Sequence, residues 1–340
     1  MVVVGLVVGL VVGACGGSAG PSASASPVTL RLGYFPNVTH AAAVVGVAKG
    51  YFADALGPSV NLQTQTFNAG PEAVEAIFNG GLDATFIGPN PAINAFIKSH
   101  GEAIRIVAGA TSGGAFLVVR DGINSAADVR GAKLATPQLG NTQDVALRAW
   151  LAEQGYTTDA QGGGDVSITP QGNSQTLQAF VAGQIDGAWV PEPWATRMIQ
   201  DGGGHVLVDE RDLWPNGQYV TTHLIVRTEF LQQHPDVVKS LIKGLLKSTD
   251  YVNGSPGDAQ AALIATIGTI TGSTLSADVV AASWSNLTFT LDPITTSLQT
   301  SADEAKTLGF LDSSDLAGIY DLSALNEVLR EAGKPEVTQP

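Results

Sequence analysis

The sequence predicts an α/β protein of two similar lobes, each a mostly parallel sheet flanked by helices, joined by a hinge. Three observations predict it. At 340 residues, 44% hydrophobic and 14% charged, the chain can bury more apolar mass than one small core holds. Residues 76 to 92 read Ala-Ile-Phe-Asn-Gly-Gly-Leu-Asp-Ala-Thr-Phe-Ile-Gly-Pro-Asn-Pro-Ala, and from Ala179 a similar run reads Ala-Phe-Val-Ala-Gly-Gln-Ile-Asp-Gly-Ala-Trp-Val-Pro-Glu-Pro-Trp. A glycine pair, Gly113-Gly114, feeding an apolar segment supplies the third observation, since it suits a crossing from one lobe to the other.

The first residues read as an address. Met1–Val12 is a Val/Gly/Leu run too short to span a bilayer, and Val12-Gly13-Ala14-Cys15 follows it. Together these are expected to form a signal peptide over 1–14 with a lipobox-like end, although no Lys or Arg follows Met1. Cys15 is the single cysteine, so it is the expected lipidation site and no disulfide can form within the chain. Residues 15–27 are rich in Gly, Ser, Ala and Pro and read as a lipid-anchored tether. Within them, Gly16-Gly17-Ser18-Ala19-Gly20 matches a hydrolase nucleophile pattern, but that motif requires a sharp strand-to-helix turn, which a tether does not provide.

Each copy of the repeat has the same grammar. An apolar-periodic helix is stopped by Gly80 or Gly183, Leu82-Asp83 or Ile185-Asp186 steps into a short strand, and a Pro-x-Pro opens the next helix. Upstream, Leu32–Tyr51 with Val38-Thr39-His40 is echoed by Leu134–Tyr156 with Asn141-Thr142-Gln143. The loops at 37–40 and 89–91 would then face those at 140–143 and 191–194 from opposite lobes. Their helix starts would aim free N–H groups into a shared cleft, the place where ligands meet open α/β sheets. Gly113–Val119 suits the outward crossing and Tyr219–Val226 the return, giving lobe one as 28–113 plus 224–340 and lobe two as 114–223.

Charge narrows the partners. Against 17 Lys and Arg stand 31 Asp and Glu, a formal net charge of -14, which repels phosphate backbones and argues against nucleic acid. The same charge opposes long-range attraction of an anion, so an anion site here must rest on local donors. The five histidines include no i, i+4 pair and no cysteine follows Cys15. Neither a metal site nor a cofactor is expected, and no Walker pattern occurs.

Gly33-Tyr34-Phe35-Pro36-Asn37, Phe67-Asn68-Ala69-Gly70-Pro71, Gly80-Gly81-Leu82-Asp83, Gly88-Pro89-Asn90-Pro91 and Trp189-Val190-Pro191-Glu192-Pro193-Trp194 resemble the sulfonate, taurine and nitrate branch of ABC-transporter solute-binding proteins. The resemblance runs from about Thr29 to Lys247. It implies a type II periplasmic-binding-protein fold, no enzymatic activity, and capture of a small anionic or zwitterionic solute, an aliphatic sulfonate first, by lobe closure. It also implies an ABC permease as membrane partner and a monomer held outside the cell membrane by the lipid on Cys15. The alternatives are a taurine, nitrate or bicarbonate receptor, or a pyrimidine-precursor binder or enzyme of the thiamine-synthesis-related branch. The enzymes of that branch are associated with a cysteine-rich motif that this chain lacks. Resemblance and local chemistry together suggest Thr39, His40, Asn90 and Ser112 (or Thr111) as ligand contacts in lobe one, and Asn141, Thr142 and Gln143 in lobe two. Glu192 is expected to read a ligand amine, bridge the lobes or point away. Trp194 is expected to wall the organic part of the ligand, and Trp189 to be core.

Overall fold

The computed structural model describes residues 27–338, together with 1–3 and 5. Cys15, most of the leader and tether, and the Ser18 pattern lie outside the described residues.

Strand β1 (Val28–Tyr34) puts Leu30, Leu32 and Tyr34 on one buried face, as period-two alternation requires. Helices α1 (Ala41–Ala48) and α2 (Tyr51–Leu56) follow, and β2 (Val60–Thr66) returns parallel to β1. Helix α3 (Gly70–Phe78) leads to β3 (Ala84–Ile87), parallel on the other side of β1, and α4 (Pro89–Lys98) leads to β4 (Ile104–Gly113). The second lobe runs through β5 (Ala115–Val119), β6 (Lys133–Thr136), α5 (Thr142–Glu153), β7 (Ser167–Pro170), α6 (Asn173–Val181), β8 (Gly187–Pro191), α7 (Trp194–Gln200) and β9 (His205–Asp209). Then β10 (Val220–Arg227) rejoins the first sheet. Helices α8 (Thr228–Gln233), α9 (Pro235–Gly254), α10 (Pro256–Thr271) and α11 (Ala277–Ser285) follow, then the short β11 (Leu287–Phe289), α12 (Thr295–Thr307) and α13 (Ser323–Glu331).

The sheet orders are β11-β4-β10-β3-β1-β2 and β7-β6-β8-β5-β9. The inner strands of each sheet are buried on both faces, while the edge strands β2 and β9 are partly exposed. In β5, Ala115, Leu117 and Val119 enter one core while Phe116 and Val118 enter the other, which explains why that strand reads as an unbroken apolar run.

The repeat is real at the level of bonds. Asp83 Oδ2 accepts the N–H of Arg31 at 2.9 Å and Asp186 Oδ2 accepts that of Lys133 at 2.8 Å. The Asp83 and Asp186 N–H groups donate back to the carbonyls of the same two residues. The repeated acidic step therefore locks each repeat's third element against its first strand, and it is structural.

Two expectations need correction. The sheets are mixed, not mostly parallel: the β1 and β6 pairings are parallel, but β10 and β5 join their neighbours antiparallel. Parallel pairing needs a crossover helix, and only the repeated units carry one; the hinge strands enter the other way. The return boundary also moves, from 223/224 to 219/220. Val220 already pairs with Ser112 in the first sheet, whereas the Tyr219 hydroxyl accepts the Ala115 N–H in the second lobe. The outward crossing is a Gly113–Gly114 step with φ of 81° and 75°, and a Cβ on Gly114 would lie 2.2 Å from Leu287. Only glycine satisfies both the backbone and the space.

The lobes are closed on each other. A Cβ on Gly88 of the first lobe would fall 2.6 Å from Thr142 Oγ1 of the second, and α12 packs on both α4 and α5. Where α5 meets α12, a cavity of about 230 Å³ brings Glu153 and Glu210 of lobe two to Glu304 of lobe one. Burial pushes the Glu210 carboxyl up to about 8 despite the Trp189 indole donating to it, and burial with the nearby Glu153 pushes Glu304 up to about 7. Raised carboxyl pKa values mean the fold binds more protons than the unfolded chain, so stability falls as pH climbs from the ordinary carboxyl range towards 8. Glu304→Gln removes part of that loss. Its Tm should exceed that of the native chain by roughly 2–4 °C at pH 8 and match it at pH 5 by differential scanning fluorimetry; equal Tm values at both pH values would contradict the assignment.

Candidate functional site

The hinge strands build the floor of the cleft. Thr111 Oγ1 of β4 and Thr222 Oγ1 of β10 both donate to the Thr39 carbonyl, at 2.7 and 3.1 Å. They fix the helical turn Val38–His40 ahead of α1 and present Thr39 and His40 to the gap between the lobes. Facing them, the start of α5 presents Asn141, Thr142 and Gln143. All five line one chamber, with Phe35, Asn37, Asn68, Gly70, Asn173 and Thr221. Its volume is about 30 Å³, room for one or two waters in this closed form. Outside it a vestibule of about 740 Å³, sharing Asn37, Asn68 and Asn173 with the chamber, is walled by Trp194, Leu177, Leu275 and Arg197.

Helices α3, α5 and α6 begin at the chamber with Gly70, Thr142 and Asn173. Asn141 already takes the Gln143 and Asp144 N–H groups and Pro71 has none, but the positive ends of the three helix dipoles, from both lobes, still converge on one point.

The side chains are sorted the same way. The Phe35 N–H donates to His40 Nδ1 at 3.3 Å, so the proton of the neutral ring sits on Nε2. Burial pushes the His40 pKa down to about 3, and the ring, stacked on Phe35, stays uncharged. Asn141 Oδ1 accepts the Gln143 N–H at 2.9 Å, which leaves its Nδ2 free to donate. Asn37 Oδ1 accepts the Trp194 indole N–H at 3.1 Å, with the same consequence. In each case the acceptor end is occupied and the donor end is left over. No Asp, Glu, Lys or Arg lines the chamber. Such a pocket rejects a bare cation and receives an acceptor-rich anion. Among the described residues no three of His, Cys, Asp and Glu converge as metal ligands would.

Three expected contacts lie elsewhere. Asn90 is buried, but its Nδ2 donates to the Ser301 carbonyl of α12 at 3.3 Å, because the first turn of α4 faces that helix and not the chamber. Ser112 follows Thr111 in β4, so its side chain points away from Thr39 and lines a separate cavity of about 270 Å³ at the hinge. Glu192 is 1% exposed and receives bonds from the Thr196 N–H and hydroxyl, Ser283 Oγ and Asn286 Nδ2. Of the three roles open to it, it takes the bridge: it caps α7 of lobe two and ties that helix to α11 and the following turn of lobe one. Burial raises its pKa, and the bonds from Asn286 and Thr196 oppose that shift. Trp194 walls the vestibule, and Trp189 is core, donating to Glu210 Oε2 at 2.7 Å.

The sequence reading placed the 37–40 loop at the cleft but did not single out Asn37 as a contact, nor Asn68, Asn173 or Thr221. A signal for two of them was present. Helices α3 and α6 are both nine residues long and end at Phe78 and Val181, equally far before Asp83 and Asp186, so extending the repeat upstream reaches Asn68-Ala69-Gly70 and Gly172-Asn173.

The sequence profile of the NMT1-like family matches residues 23–268. This chain belongs to the NMT1-like family. A putative binding protein of Brucella abortus is 26% identical over 245 residues, 67% of this chain and 73% of the relative. The taurine-binding periplasmic protein of Escherichia coli is 27% identical over 214 residues, 63% of this chain and 64% of that one. Among solved structures, the periplasmic nitrate-binding protein NrtA of Synechocystis superposes with a TM-score of 0.75 at 16% identity, over 91% of this chain and 90% of that one. The alkanesulfonate-binding protein SsuA of Xanthomonas axonopodis, bound to MOPS, does so with a TM-score of 0.70 at 20% identity, over 86% and 97%. At such identities the likeness is one of fold, and the fold of this NMT1-like chain is the two-lobed periplasmic-binding-protein architecture.

The donor assignment can be checked directly. In nitrogen-detected NMR of histidine side chains, His40 should remain the neutral Nε2–H tautomer from pH 8 to pH 5, since its pKa lies near 3. A titration midpoint above pH 6 would show a cation at the chamber and contradict the assignment.

Proposed function

We propose that this NMT1-like protein is the solute-binding component of an ABC importer that captures a small oxyanion, an aliphatic sulfonate first, in the chamber between its lobes. The single observation that carries this reading is the arrangement of His40, Asn37 and Asn141, whose acceptor ends are occupied while their donor ends remain available. The vestibule supports an organic tail: Trp194, Leu177 and Leu275 offer apolar surface beside the polar chamber. Lobe closure would bring the two sets of donors onto one solute, and a membrane permease would read the closed form. The names of the relatives agree in kind, covering taurine, nitrate and alkanesulfonate. The protein acts as a receptor and not as an enzyme. We place it outside the cell membrane as a monomer, with Cys15 as its lipid anchor.

A second reading is favoured by the size of the chamber. About 30 Å³ suits nitrate or bicarbonate without a tail, and the same donors would serve. Methanesulfonate, taurine, nitrate and bicarbonate, titrated separately into the full chain by calorimetry, distinguish the readings.

For methanesulfonate, Thr142→Val should weaken binding about fivefold, the loss of one hydrogen bond of ~1 kcal/mol. Asn90→Ala should leave the affinity within twofold and lower the Tm of the empty protein, because its amide serves α12. The reverse pattern would relocate the site.

A further inference from the structure

The three donor side chains that define the chamber are not oriented by the same means. The His40 ring is set by the N–H of Phe35, and the Asn141 amide by the N–H of Gln143; each partner belongs to the same lobe and lies within five residues. The Asn37 amide is set from the other lobe. Its Oδ1 accepts from Trp194 Nε1, 157 residues away in sequence, at 3.1 Å. An indole N–H can only donate, so it selects the amide rotamer that turns Oδ1 towards Trp194 and Nδ2 away from it. Without that partner an asparagine amide has two ends of nearly equal size and can present either.

We propose that Trp194 is a positioning residue for anion selectivity: on lobe closure its indole orients the Asn37 amide so that the chamber is met by Nδ2–H₂ and not by Oδ1. The inference rests on the oxyanion-receptor reading and adds a condition to it. One of the chamber's donors exists as a donor only when lobe two has arrived.

The surroundings of Trp194 fit that role. It is the first residue of α7, directly after the Glu192-Pro193 step. Glu192 ties the same turn to Ser283 and Asn286 of lobe one, so the indole reaches Asn37 as part of one closing contact. The guanidinium of Arg197 lies 5.5 Å from the Trp194 ring centroid and is held there by Asp201 at 3.1 Å. Asn37 is 7% exposed and lies at the junction of chamber and vestibule, lining both. A solute entering from the vestibule therefore passes the one amide whose polarity depends on closure.

A bond that merely latched the lobes would act differently. It would shift the closure equilibrium and scale the affinity of every ligand by the same factor. An orienting bond changes the chamber's polarity, so it acts on acceptor-only ligands and spares, or favours, ligands that carry a donor.

The test compares methanesulfonate with methanesulfonamide, its neutral donor-bearing counterpart, by calorimetry on the full chain and on Trp194→Phe. The variant keeps an aromatic wall and loses the N–H. Methanesulfonate should weaken five- to tenfold in Trp194→Phe, while methanesulfonamide keeps or gains affinity, so the preference for the anion narrows at least fivefold. A second variant, Asn37→Asp, retains the acceptor for the indole and replaces the donor facing the chamber by an oxygen. It should lose methanesulfonate at least tenfold at pH 8, where the carboxyl is ionised, with the far-UV circular dichroism of the empty protein unchanged. A proportional loss of both ligands in Trp194→Phe makes the residue a latch or a wall and overturns the proposal. So does a sulfonamide that stays without measurable binding while methanesulfonate weakens, and so does undiminished methanesulfonate binding by Asn37→Asp. If the native chain binds no methanesulfonate, taurine, nitrate or bicarbonate, the receptor reading itself fails and takes this inference with it; native binding with an unchanged preference in Trp194→Phe removes only the inference.

Discussion

An uncharged chamber can hold an anion only if its acceptors are turned away from it. That constraint organises the site of this protein. The Phe35 N–H, the Gln143 N–H and the Trp194 indole each occupy one acceptor, on His40, Asn141 and Asn37, and the helix starts at Gly70, Thr142 and Asn173 add backbone donors that no side chain needs to supply. The rest of the architecture serves to bring these groups together. Hinge strands β4 and β10 fix the turn that carries His40, and the strand-and-helix repeat places two further helix starts opposite it. A chain with a net charge of -14 has no long-range attraction for an anion to exploit, so under the proposed function local dipoles within a screening length would have to do the holding.

The interface between the lobes is of two kinds. Close to the chamber it consists of single directional bonds, Trp194 to Asn37, Gln138 to Glu72 at 3.0 Å, and Glu192 to Ser283 and Asn286. Farther out, α5 rests on α12 with three carboxyl groups around one cavity, a contact that carries a cost when those groups ionise. The first kind gives a definite closed geometry. The second keeps that geometry from being held too firmly, which suits the proposed receptor, whose lobes would have to part again to release a solute.

How much of this was legible follows from which contacts are local. Thr39, His40 and Asn141–Gln143 could be placed because each set is a polar helix start directly after an apolar strand, and that pattern is written within a few residues. The hinge glycines were legible for the same reason. Asn90 and Glu192 occupy matching positions of the same repeat and look equivalent to the others in sequence. They were diverted by α12 and by α11, elements from beyond Lys247, where the chain shows little pattern and nothing announces which surface each helix will cover. Asn37 is the reverse case: an ordinary loop asparagine by itself, it acquires a defined polarity from a tryptophan in the other lobe. The mixed character of the sheets was missed because antiparallel β5, buried on both faces, carries the continuous apolar signature expected of a parallel strand, and β10, with Thr221, Thr222 and His223 in its first half, gives no sign of its direction.

The most direct measurement of the central claim is the dependence of methanesulfonate affinity on ionic strength, read by calorimetry on the full chain with a bulky counter-anion such as gluconate. A chamber of neutral donors in a strongly acidic protein should bind equally well, or slightly better, as salt rises from about 20 to 500 mM, because screening removes repulsion and the chamber itself holds no cation to mask. An affinity that falls tenfold over that range would reveal a positively charged partner for the anion and contradict the account.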